Sequence, residues 1–62
     1  MKIEPDIVAT RCEQYHAIAT KQAKHDLRHG HHSEAALHET YAVLLETAAE
    51  TIRDLLREKT NG

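Results

Sequence analysis

The sequence predicts an all-α protein, an antiparallel helical hairpin that dimerises into a four-helix bundle, and three observations carry that prediction. Apolar residues recur at three- and four-residue steps along two long stretches, which places them on single helix faces. Gly30 stands between the stretches, with only His31 and His32 before the next helix start. The 62 residues are 40 % hydrophobic but include no Phe and no Trp, so a lone hairpin has few large side chains to bury. A second copy is the simplest surface to complete such a core. The whole chain, residues 1–62, is read as one domain.

Helix 1 is expected over about residues 5–29. Pro5 suits a first helical turn, where its missing N–H would be unpaired anyway, and Asp6 adds a negative charge at the positive end of the helix dipole. Its inner face reads Val8, Cys12, Tyr15, Ala19 and Ala23, flanked by Ile18 and Leu27. Asp26 falls near the same face, so the apolar seam is expected to open to water close to the turn. Gly30 suits the left-handed position that ends a helix, and Arg28 and His29 complement the negative dipole end. A connection over residues 30–32 is short enough to send the chain straight back.

Helix 2 is expected over about residues 33–59, with Ser33 as N-cap and Glu34 in the first turn. It carries the stronger stripe: Leu37, Tyr41, Leu44, Leu45, Ala48, Ile52 and Leu55, widened by Ala49 and Leu56. These seven stripe residues, with Val8, Cys12, Tyr15 and Ala19, are the expected oligomer interface. Along the polar side, Glu50 with Arg53 and Asp54 with Arg57 are favourable three-residue pairs.

A formal charge of −2 exerts no global pull toward nucleic acid or membrane. The N-terminus lacks the apolar core of a signal peptide and no run reaches membrane-spanning length, so a cytoplasmic protein is expected. The single cysteine, Cys12, excludes an internal disulfide framework and reads as a small buried hydrophobe.

In chain length and midpoint turn the layout resembles Rop, a small RNA-binding dimer of helical hairpins. That resemblance implies a bundle fold and, as one reading, a Rop-like RNA-binding dimer. No residue role carries over with it.

Five of the six histidines, His25, His29, His31, His32 and His38, crowd a fourteen-residue window around the turn. His25 and His29 are one helical turn apart, a spacing that lets two imidazoles hold a divalent transition metal. With His32 and His38 they form the candidate ligand set, to which Asp26 or Glu34 could contribute. His16 stands apart and reads as a satisfied interface residue. Lys21, Lys24 and Arg28 share an outward face of helix 1 as the candidate contact for RNA or an acidic partner, although no aromatic interleaves them as a stacking platform.

For enzymology there is little. Ser33 is better used as a cap, no Gly-rich phosphate loop or nucleophile elbow occurs, and Glu13-x-x-His16 is a solitary pair. The reading is therefore a non-enzymatic interaction or regulatory module that self-associates through its apolar helix faces, needs no cofactor and takes a protein partner. A histidine-rich metal-binding or metal-sensing hairpin and the RNA-binding dimer are the alternatives.

Overall fold

The computed structural model describes residues 4–61, with side chains through Lys59; Met1–Ile3, part of the N-terminal stretch read above, and Gly62 lie outside the described residues. Two helices, α1 (Pro5–Arg28) and α2 (His32–Asn61), pack against each other as a hairpin with a long dimension of 48 Å. No described helix is long and apolar enough to cross a membrane.

Pro5 opens α1 with Asp6 in its first turn, and the carbonyl of Glu4 accepts from the Val8 N–H at 3.1 Å. The helix ends on Gly30, whose φ of +74° is the left-handed conformation a side chain would resist. Around it the His31 N–H donates to the Asp26 carbonyl at 2.8 Å and the Gly30 N–H to the Leu27 carbonyl at 3.2 Å. This paired closure satisfies carbonyls that the end of a helix leaves without partners.

Ser33 is not the cap of α2. The helix begins one residue earlier, at His32, and the His31 carbonyl accepts from the Ala35 N–H at 2.9 Å. Because the closure after Gly30 already directs the chain into the second helix, Ser33 lies within its first turn. Helix α2 also runs to Asn61, two residues past the expected end.

The seam between the helices is made of alanine. Ala9, Ala19 and Ala23 of α1 and Ala35, Ala42 and Ala49 of α2 are the buried hydrophobic residues, and no large side chain is fully enclosed. Their spacing is a heptad on each helix: Ala9, His16 and Ala23 alternate with Cys12, Ala19 and Asp26, while Ala35, Ala42 and Ala49 alternate with His38, Leu45 and Ile52. A three-residue turn and methyl-sized side chains bring the backbones close. Of the Leu- and Tyr-rich stripe, Leu45 and Ile52 reach the seam, half-buried, whereas Leu37, Tyr41, Leu44 and Leu55 are not part of the hairpin's own core.

Asp26 overturns a further expectation. It is buried at 4 % exposure, so the seam stays closed at the turn end.

Candidate functional site

Viewed down its seam, the hairpin has two unlike sides. On the first, α1 presents Asp6 and Glu13 while α2 presents Glu46 and Arg53. The Arg53 guanidinium spans both helices, donating from Nη1 to Asp6 Oδ1 at 2.9 Å and from Nη2 and Nε to the two Glu13 carboxylate oxygens at 2.8 and 3.0 Å. Those hydrogen bonds hold Glu13 below the usual carboxylate range, against a smaller opposing effect of burial. They raise the Arg53 pKa in turn, chiefly through Glu13 and then Asp6. Arg53 therefore closes across the hairpin instead of along α2 with Glu50, since a fork geometry rewards two-point contact with a facing carboxylate. The Asp54–Arg57 pair does form, at 2.9 Å.

The second side is apolar. Leu37, Tyr41, Leu44, Ala48 and Leu55 lie about 100° round α2 from its seam, and Val8, Tyr15 and Ile18 occupy the corresponding flank of α1. Antiparallel packing puts these two flanks on one side of the molecule. Leu37 is 70 % exposed, Ile18 and Leu44 62 %, Leu55 60 %, Tyr41 51 % and Tyr15 47 %. Isolated exposed leucines are ordinary, but six exposed large apolar residues on one side are not, even with Arg11, Gln22 and His25 on α1 and Glu34 and Glu58 on α2 interrupting them.

The expected interface residues thus divide. Ala19 is buried within the hairpin; Val8, Cys12, Leu45, Ala48 and Ile52 are half-buried; Tyr15, Leu37, Tyr41, Leu44 and Leu55 face outward.

At the turn, Asp26 is the centre of a small polar network that periodicity could not reveal. His38 Nδ1 lies 2.6 Å from Asp26 Oδ2, and Gln22 Nε2 donates to Asp26 Oδ1 at 3.1 Å. A carboxylate only accepts, so His38 carries its proton on Nδ1. Burial pushes the Asp26 pKa up, but the hydrogen bonds from His38 and Gln22, with the nearby His38 and His31 charges, outweigh it and leave the carboxyl below its ordinary value. The contact was foreseeable from one feature: a turn after residue 30 sets position 26 across from a residue near 38.

His16 is satisfied, as expected. Its Nδ1 donates to the Ala42 carbonyl at 2.8 Å, while Nε2 stands 3.6 Å from Glu46 Oε2, beyond hydrogen-bonding distance.

The four candidate metal ligands do not converge. The His25 and His29 rings lie with centroids 4.3 Å apart and planes tilted by 45°, and His29 approaches His31 at 6.3 Å. His38 points instead to Asp26 across the seam. Among the described residues no group of three or more His, Cys, Asp or Glu side chains is placed to hold a metal ion. Convergence failed because α1 turns His25 and His29 away from the seam that holds His38.

Lys21, Lys24 and Arg28 are all exposed and, with Ile18, Gln22 and His25, line a shallow depression on α1. They make no salt bridge among the described residues.

Set against protein-family models, curated proteins and solved structures, the chain matches none.

Proposed function

We propose that the protein is a small non-enzymatic interaction or regulatory module that self-associates through its apolar helix faces into a four-helix bundle. One observation carries this reading. The buried hydrophobic residues of the hairpin's own seam are alanines, while Tyr15, Ile18, Leu37, Tyr41, Leu44 and Leu55 stand in solvent on one side, with Ile7, Leu27 and Val43 exposed elsewhere. Apolar area removed from water is the main favourable term in association, and here most of it remains available. The opposite side carries the Arg53 clasp onto Asp6 and Glu13.

Sedimentation equilibrium on tag-free protein tests the reading. Native protein should sediment as a dimer at micromolar concentration, whereas Leu44→Lys should be a monomer that keeps its helical circular dichroism. A native monomer at high concentration would refute self-association.

A metal-binding role is supported by the His25–His29 pair alone, whose rings already lie side by side. Titration calorimetry with zinc, nickel and copper decides it. Binding tighter than micromolar that is lost in His25→Ala would support a two-imidazole site, and its absence would remove the reading.

A further inference from the structure

Charge is unevenly placed along the chain. Between Gln14 and Ser33 there is one carboxylate, Asp26, and it is buried at 4 % exposure in the seam. The surface of this part of α1 and of the turn therefore presents Lys21, Lys24 and Arg28 with His25, His29, His31 and His32, all exposed, and no acid among them. Outside that span nine carboxylates stand against five Lys or Arg residues. The segregation is also spatial. Lys21, Lys24, His25 and Arg28 line one shallow depression on the outer face of α1, together with Ile18 and Gln22. Lys24 shares a groove with Glu39 but makes no ion pair with it.

We propose that this face binds single-stranded nucleic acid, with phosphates on Lys21, Lys24 and Arg28 and a base against the His25 and His29 rings. The proposal needs only one chain and is independent of self-association. Two arguments select the partner. An exposed ammonium meeting one carboxylate gains little, because water screens the pair, so an acidic protein would need apolar anchors. Of the residues lining the depression only Ile18 is apolar. A phosphate polymer instead releases condensed counterions at each cation it meets, which drives binding without such an anchor.

The second argument is the imidazoles. No Phe, Tyr or Trp interleaves the cations, but the exposed His25 and His29 rings lie beside them, centroids 4.3 Å apart. Unstacked bases pack on aromatic faces of this kind, whereas a duplex keeps its bases stacked inside. Lys21 and Arg28 stand about 10 Å apart along the helix, a distance that a short strand covers. Seven of the nine outlying carboxylates belong to the open half of the hairpin. Salt screens charges beyond a Debye length of about 8 Å, so the net charge of −2 does not cancel the local field.

Nitrogen-15 NMR titration of tag-free protein with an oligouridylate hexamer, in chelator-containing buffer, tests the proposal and reads the fold in the same spectra. Amide shifts should concentrate in residues 14–33. The Kd should weaken about 20-fold between 50 and 200 mM salt, the dependence of about three phosphate contacts on a single strand. Lys21→Gln should reduce that change to about sevenfold. Lys59→Gln, which removes the same charge at the other end, should leave it at the native value. An abasic strand of equal length and charge should bind several-fold more weakly, since it offers the imidazoles no base. Equal binding of the abasic strand would overturn base recognition. Hexaglutamate binding as tightly as oligouridylate would replace the nucleic acid with an acidic protein segment. Shifts centred outside residues 14–33, or none at 50 mM salt, would overturn the face itself.

Discussion

Asp26 is the one charged or polar residue that the described part of the fold encloses, and its partners reach it from both helices. Gln22 comes from the preceding turn of α1, and His38 from α2 across the seam. Because its carboxyl is held below the ordinary value, Asp26 binds fewer protons when folded than when unfolded over the acid range. Its contribution is therefore complete above the unfolded pKa of about 4 and disappears as pH falls through the lower folded value. Glu13 has the same sign. Asp26→Ala should lower the melting temperature by several degrees at pH 7 and flatten, without abolishing, the fall in stability below about pH 4. Thermal melts followed by circular dichroism between pH 2 and 7 provide the check, and an unchanged acid limb would deny the network its role. Sequence alone placed Asp26 near the inner face but read it as a water-filled opening. Spacing along one helix cannot reveal a partner supplied by the other.

Within the elements, side-chain size decides which stripe faces which neighbour. The two helices and their break at Gly30 were legible because end signals are local: Pro5, Asp6 and the left-handed glycine act within a turn of themselves. The facing of α2 was not legible. A stripe of Leu and Tyr outweighs one of alanine in any reading by hydrophobicity, yet the short turn favours the stripe that lets backbones approach. The α1 seam is further disguised by His16 and Asp26, polar residues at heptad positions to which α2 supplies a partner across the seam. If alanine sets the separation, enlarging it must force the helices apart. Ala42→Leu should cost about 1–3 kcal/mol in chemical denaturation, because an added side chain in a closed seam has no space to fill. Leu44→Ala, on the outer side, should leave the helices' mutual packing unchanged and weaken association instead. Equal stability of native protein and Ala42→Leu would show that the seam is looser than its alanines imply.

For the molecule as a whole, stability and assembly are one quantity if the apolar side is completed by a second copy. A seam whose buried hydrophobic residues are all alanines leaves an isolated hairpin marginal. Mass action then makes the melting temperature depend on concentration. Between about 5 and 500 µM, the melting temperature should rise by several degrees, measured at constant ionic strength; a constant value across that range would mean that the hairpin is stable by itself.

The bend at Gly30 has one more consequence, for the shape the chain avoids. Were the helix to run straight on, the heptad of α1 would continue from Ala23 through Gly30 to Leu37, whereas α2 packs through Ala35 and Ala42. The two-residue offset amounts to about 200° of helix rotation. A straightened chain would therefore carry its two alanine seams on nearly opposite sides and could not zip both against a neighbouring straight chain. Domain swapping, in which protomers open and exchange arms, commonly exploits short hinges. Here the phase break across the turn penalises the fully extended intermediate, and the chain is committed to folding back on itself.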